Sequence, residues 1–419
     1  MKFEHNLSIA AVGQALIQRD LRSATEPRFW AIQKILKAAD VSFTNLETTI
    51  AGPYGGWPTK SGLTTAAPPS VLDTLSELGI NALALSNNHA FDFGQSGILS
   101  TLQEVEQRGF LHAGTGRSLA AAARGGVRDI NGTRVSLIAM DAGPGTEAGL
   151  ATNANGHSPA RPGLNGQQVA SVFMVEPSDM ERLRRIKDAI GHQRLMPGYR
   201  HITPENSKGS FQHVPHVADD ELFFYGLRFK IGAEPSRVGL LNASDLNRNL
   251  AAIAEAKANG NFVVAYLHHH HWEPRWEDVP KWVGDFAHQC IDAGADIYLS
   301  HGVPMVQGIE IYRDRPIFYS LGNFIFHVPG DPSTWVHRDI WRSVVATCRF
   351  KKGAIAEIEL APIVIGDEAA LDANDYSYRD LPLLARSGEA EDIIQRIAQR
   401  AAAFGTTISF DGNVGRIRI

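Results

Sequence analysis

Residues 82–94 read Ala-Leu-Ala-Leu-Ser-Asn-Asn-His-Ala-Phe-Asp-Phe-Gly. Four apolar residues of strand length run straight into Ser86, Asn87, Asn88 and His89. Gly94 then precedes a helical pattern through Ile98, Leu102 and Val105, stopped by Gly109. The same unit recurs upstream. Residues 7–12 form an apolar run ending at Gly13-Gln14, and Phe29, Trp30, Ile32, Ile35 and Leu36 follow at helical spacing. Residues 41–43 run into Thr44-Asn45-Leu46-Glu47, and Pro69 opens a helix through Leu72, Leu75 and Leu78 that Gly79 closes. The pattern predicts β-α-β-α-β-α and an α/β fold. In open α/β sheets, ligand sites lie beyond the carboxyl ends of the strands.

Downstream, Asn131-Gly132 sits between two β-patterned runs, residues 127–130 and 134–140, and predicts a hairpin. From 141 to 241 periodicity weakens, with one helix near residues 179–190. This stretch is expected to be an insertion that caps the site. A helix over 246–258 leads to a strand at 262–267 that runs into four consecutive histidines, His268 to His271. A helix over 280–293 leads to a strand at 296–299 ending in Ser300-His301-Gly302. Residues 341–350 and 354–365 form a predicted hairpin around Lys352-Gly353, and residues 389–403 a helix. The expected organisation is one domain over 1–365, interrupted by 141–241, with a helical and extended tail over 366–419.

Composition narrows the function. The 419 residues carry 40 Lys and Arg against 45 Asp and Glu, a net charge of −5. That charge offers no basic surplus for nucleic acid. No apolar run reaches membrane-spanning length. Residues 1–7 lack the pattern of a secretory signal. Two cysteines, Cys290 and Cys348, fit a reducing compartment. A cytoplasmic protein with a small-molecule or peptide substrate is expected, with no nucleic-acid or membrane partner; the oligomeric state is left open.

Five predicted strands end in polar clusters: Gln14; Asn45 and Glu47; Asn88 and His89; His268 to His271; and His301. If the strands are neighbours, these side chains converge on one edge. Carboxylate, amide and imidazole together form the donor set of a Zn, Mn or Fe site. Each cluster also reads singly as a turn or cap.

The strings Phe43-Thr-Asn-Leu-Glu47, Ala84 to Gly94, Gln307-Gly-Ile-Glu310 and Ile317-Phe-Tyr-Ser-Leu-Gly-Asn-Phe-Ile-Phe326 resemble the CapA/PgsA family. That family is named for capsule and poly-γ-glutamate synthesis and belongs to the calcineurin-like metallophosphatase superfamily. The resemblance covers roughly residues 8–140 and 243–365. It implies a four-layer α/β/β/α sandwich with a two-metal type of pocket. Carried over residue by residue, it implies Glu47, Asn88, His268 and His301 as metal ligands and His89 as the group that assists the reaction. Two positions depart. Gln14 stands where the superfamily has an aspartate, and Pro304 where the family has a closing histidine. With so little negative charge left, one divalent ion is expected rather than two, or none. The ion would be held through His268, His301 and one of Glu47, Asn88 or His270.

Other candidates follow from position. Alternation along an extended segment would point His268 and His270 into the pocket, with His269 and His271 facing away. His270 and Glu273 are acid–base candidates, although Glu273 could equally pair with Arg275. Asp92, three residues after His89, either orients that imidazole or caps the next helix. Gln14, Asn45 and Trp272 are candidate substrate contacts. Arg161 is a candidate clamp for a carboxylate or phosphate, or else an exposed loop arginine. His213 and His216 carry no visible supporting pattern. Three functions remain: a metal-dependent hydrolase of an amide or phosphoester bond, a metal-free acid–base epimerase or isomerase, and a non-catalytic binding module.

Overall fold

A computed structural model describes residues 6–143, 145, 147–190, 218–224, 226–327, 335, 337–366 and 381–419. His213 and His216 lie outside the described residues. Two compact units emerge: Met1–Gln168 with Ala243–Ile419, and Val169–Asn242.

The first unit is α/β and contains two large sheets. In one, Leu7–Ala11, Val41–Asn45, Ala82–Ala84 and Leu111–Ala113 run parallel in that order. Arg342–Lys351 and Ala354–Ile365 extend it antiparallel from Leu7–Ala11. In the other, Thr133–Asp141, Phe262–His268, Ile297–His301 and Arg315–Phe318 are parallel neighbours. Antiparallel strands Gly126–Ile130 and Ile309–Tyr312 close its edges. The hairpins fall where the sequence places them. Asn131 and Gly132 have φ of 50° and 78°, and Lys352 and Gly353 have 50° and 76°. A two-residue turn that matches strand twist requires positive φ at both positions.

Both sheets contribute to one apolar core. Ile9, Phe43 and Phe350 from the first meet Val264, Tyr266 and Leu299 from the second. Phe43 and Tyr266 lie 5.4 Å apart between ring centroids, and Phe262 and Phe350 lie 4.8 Å apart edge to face. These aromatic contacts hold the sheets together through their large apolar area. Cys290 and Cys348 are buried, and burial pushes both thiols up, so neither is reactive.

Two boundaries differ from expectation. Residues 141–168 belong to the first unit: Gly163–Leu164 pairs with Thr115–Gly116, and Asp141 bridges Gly166. The second unit therefore begins at Val169. It holds the helix Pro177–Ala189 and a four-stranded sheet, Glu221–Phe224, Leu227–Ile231, Val169–Val175 and Ser236–Leu241. Most side chains of those strands are half-buried or exposed. They leave no strong apolar alternation to read. At the C-terminal end, Pro382–Leu384 and Val414–Arg418 both pair with Ala354–Ile365. The helix Ser387–Ala402 buries Ile393, Ile394 and Ile397. The described part of 366–419 is thus built into the first unit. Among the described residues, no helix is long and apolar enough to cross a membrane.

Candidate active site

Strand register builds the site. Asp141 pairs with His268 and His268 with His301, so a carboxylate and two imidazoles end three neighbouring parallel strands. In the facing sheet, Asn45 ends Val41–Asn45 beside Ala84. Its Nδ2 lies 3.4 Å from His268 Nδ1 and joins the two sheets. His268 Nε2 donates to Asn88 Oδ1 at 3.0 Å when Nδ1 accepts from Asn45. Ligating a cation through Nε2 requires exchanging the Asn88 bond.

Glu47 is buried, with Oε1 3.7 Å from His268 Nε2. Its Oε2 has no partner among the described residues, and neither has His270 Nε2. Glu47, His268 and His270 offer one donor atom each, all within 4.8 Å of one another. Burial pushes the Glu47 carboxyl up to about 8; the charges of Asp141 and Asp92 add to this, and Lys60 opposes it. Burial likewise pushes His270 down to about 4 and holds His268 well below the usual imidazole range. Both imidazoles are therefore neutral at pH 7, as ligation requires. A buried carboxyl short of counter-charge, facing an unpartnered imidazole nitrogen, suits a divalent cation that accepts mixed N and O donors.

Beside this group stands an oriented imidazole. His89 Nδ1 bonds Asp92 Oδ2 at 2.7 Å, which leaves Nε2 for the pocket. Asp92 also accepts from the Thr65 N–H at 2.7 Å and pairs with Lys60 at 2.7 Å. The helix Gly94–Gln107 has no side-chain cap, so Asp92 orients the ring and does not cap the helix. A pocket of about 320 Å³ opens over these groups. Gln14, Glu47, Lys60, Asn88, His89 and His270 supply its polar lining, and Trp272, Trp335, Phe326, Leu16 and Leu63 an apolar wall.

Gln14 is fixed rather than free. Its Oε1 accepts from the Gly302 N–H at 3.1 Å, and the Gly302 carbonyl accepts from Trp272 Nε1 at 3.1 Å. Gly302 has φ of 109°, and a Cβ there would lie 2.0 Å from the His269 carbonyl oxygen. Only glycine fits that approach.

Several expected roles move. His301 stands outside the Glu47 group. Its ring stacks near Phe43 with centroids 6.4 Å apart, and its Nε2 donates to the Val12 carbonyl at 3.0 Å. The side chain thus turns into the space between the sheets, and His270 takes its place beside His268. Asn45 is buried beneath the pocket and bonded to His268 and Asn87, so it positions other groups. Arg161 donates to the Leu150 carbonyl and its backbone bridges Thr152; it does not line the pocket. Glu273 is half-buried and also absent from the lining, while Arg275 pairs with Glu277 and Asp278. His269 and His271 pack against Trp282 at 5.6 and 5.3 Å, while His268 and His270 meet at 5.0 Å. Lys60 and Asp141 are additions. Lys60 sits in a loop without periodicity. Asp141 ends a strand exactly as the other polar residues do, and the same reasoning extends to it.

The family model described as bacterial capsule synthesis protein PGA_cap matches residues 8–328. The chain belongs to that family. The protein y4sH of Sinorhizobium fredii is 30% identical over 98% of this chain and 93% of its own. The PGA biosynthesis protein CapA of Bacillus subtilis is 22% identical over 86% of this chain and 72% of its own. Among solved structures, a 5'-nucleotidase precursor from Thermus thermophilus is 12% identical, with a TM-score of 0.34, over 95% of this chain and 59% of that one. A likeness that slight carries no weight for the architecture, which rests on the strand order. The matched span of this PGA_cap member contains every residue of the Glu47, His268, His270 and His89 constellation.

Proposed function

We propose that this PGA_cap protein is a metal-dependent hydrolase acting in the cytoplasm on an amide or phosphoester bond of a small-molecule or peptide substrate. The observation that carries the reading is the convergence of Glu47, His268 and His270 within 4.8 Å, beside an imidazole oriented by Asp92. Glu47, His268 and His270 would hold one Zn, Mn or Fe ion. When bound, such an ion polarises a substrate oxygen and acidifies water. His89, held through Nδ1, gives or takes a proton at Nε2 on the leaving-group side. Lys60 offsets the Asp92 charge and anchors the loop that carries it to the Asn88 carbonyl at 3.3 Å. Trp272, Trp335 and Phe326 bind an apolar part of the substrate and exclude water. The name of the Bacillus subtilis relative, PGA biosynthesis, favours the amide arm.

A second reading has its own observation. Without a cation, Glu47 near pKa 8 is a buried acid facing neutral imidazoles. Such a pair can remove and return a proton next to a carbonyl. One experiment separates the two. Tag-free protein is assayed on p-nitrophenyl phosphodiesters and acyl p-nitroanilides, with chelator and with added Zn or Mn. Metal-restored hydrolysis that is absent in the His270→Ala variant supports the hydrolase. Full turnover in chelator, or solvent deuterium exchange at a peptide α-carbon without cleavage, supports the acid–base enzyme instead.

A further inference from the structure

A second cavity, of about 450 Å³, shares no lining residue with the pocket over Glu47 and His89. It lies along the edge strands of the two sheets, Leu111–Ala113 and Gly126–Ile130. Its volume is in the range of sites for small organic molecules. The two strands press together there: a Cβ at Gly126 would lie 2.1 Å from the His112 carbonyl oxygen.

The polar lining is one-sided. Arg117, Arg124 and Arg128 face the cavity, and Glu106 is its one carboxylate. Arg128 is engaged, donating to the Gly109 carbonyl at 2.6 Å. Among the described residues, no hydrogen bond or ion pair engages the guanidinium of Arg117 or Arg124. Two atoms of the lining are buried and unpartnered as well, Thr115 Oγ1 and His112 Nδ1. Thr115 is 7% exposed, and its hydroxyl is screened from bulk water at the cavity wall. Buried polar atoms without partners are rare and call for a ligand or ordered water. Burial also holds His112 below the ordinary imidazole range, so the ring is neutral at pH 7 and offers a single N–H.

These groups share one chemistry. A hydroxyl, an imidazole N–H in the Nδ1 tautomer and two guanidinium forks are all hydrogen-bond donors. Guanidinium forks match the oxygens of carboxylates and phosphates. Leu102, Phe110 and Val127 supply an apolar wall next to them. We propose that this cavity binds a small organic oxyanion, with its phosphate or carboxylate on Arg117, Arg124 and Thr115 and its apolar body against Leu102 and Phe110.

The test uses full-length, chelator-treated protein, so that no metal elsewhere captures the probe. Phenyl phosphate and benzoate are titrated by calorimetry. In parallel, arginines are labelled with phenylglyoxal and mapped by peptide mass spectrometry. The expected result is saturable binding at one site per chain, protection of Arg117 and Arg124, and a Kd at least about tenfold weaker in Arg117→Ala/Arg124→Ala. Both arginines are exposed, so the double variant is expected to unfold in urea like wild type. Thr115→Val should weaken binding while keeping the side-chain shape. Preference for phenyl phosphate assigns a phosphate ligand, and preference for benzoate a carboxylate. Three results would overturn the proposal: no saturable binding at millimolar probe, unchanged affinity in the double variant, or loss of binding in His270→Ala instead. The last would place the anion in the other pocket, whatever reaction occurs there.

Discussion

Acid should loosen the wall of the active-site pocket through one imidazole. The strand Gln14–Leu16 pairs with Asn323–Phe326, and together they carry Gln14, Leu16 and Phe326 to the pocket. His327 ties the end of this ladder. Its N–H donates to the Leu16 carbonyl at 2.9 Å, and its Nδ1 accepts from the Gln18 N–H at 3.0 Å. Burial, with Arg19 adding, pushes His327 down to about 3 from an ordinary 6.5. A depressed imidazole pKa means that the unfolded chain binds the proton more tightly. The contribution is complete above pH 6.5 and is lost as pH falls toward 3. At pH 7 the unfolded state gains about 0.2 kcal/mol from His327 protonation, and at pH 5 about 2 kcal/mol. The variant His327→Asn keeps an acceptor near Nδ1 but cannot titrate. Its stability relative to wild type should therefore rise by about 2 kcal/mol between pH 7 and pH 5. Urea unfolding followed by tryptophan fluorescence at the two pH values measures this. Taking the difference of differences cancels the other titrating groups to the extent that sites are additive. A gap that stays within about 0.5 kcal/mol would refute the assignment of a buried neutral His327.

Other outcomes concern the site itself. Glu47→Gln, His268→Ala and His270→Ala should each empty tag-free protein of Zn or Mn by elemental analysis, while His301→Ala should keep the metal; the reverse order would reinstate His301 as ligand. Asp141→Asn should weaken metal binding on the order of tenfold by titration calorimetry, because it removes charge behind the ligands. Gly302→Ala should destabilise folding by at least about 2 kcal/mol in urea unfolding, since both its φ and the His269 carbonyl oppose a Cβ.

The parallel strands, their helices and the hairpins at Asn131 and Lys352 were legible because each carries a local signal. Apolar runs, glycine stops and positive-φ pairs act within a few residues. The convergence of Glu47, Asn88, His89 and His268 was legible because it needs only the rule that strands end on one side. What the strand rule does not give is side-chain direction. His301 sits at the expected strand end, yet its ring turns to Val12, and nothing in the local sequence encodes that turn. Lys60 reaches Asp92 from a loop of 51–65 whose path is set by tertiary contacts such as Thr59 to Phe91 at 3.0 Å. Arg161 had the right chemistry, but Leu150, eleven residues before it, claims the guanidinium. The strands of Val169–Asn242 were hidden because they bury little.

The position of Asp141 changes the charge argument about the site. Gln14 stands where the family resemblance implies an aspartate, which left Glu47 as the one recognised carboxylate. Asp141 restores a second negative charge from the opposite sheet, through the register that sets it beside His268. It is the first charge after burial that raises the Glu47 carboxyl. Asp92 adds a third, but Lys60 at 2.7 Å already offsets it. Two carboxylates, Glu47 and Asp141, match the charge of one dication with neutral imidazoles around it. A second dication would leave the buried pocket with two excess positive charges, which a low-dielectric surround penalises heavily. Gln14 reinforces that limit, because its amide oxygen is committed to the Gly302 N–H. Under the proposed hydrolase function, the exchange of a first-strand carboxylate for Asp141 on the second sheet would favour a single ion placed toward His268 and His270.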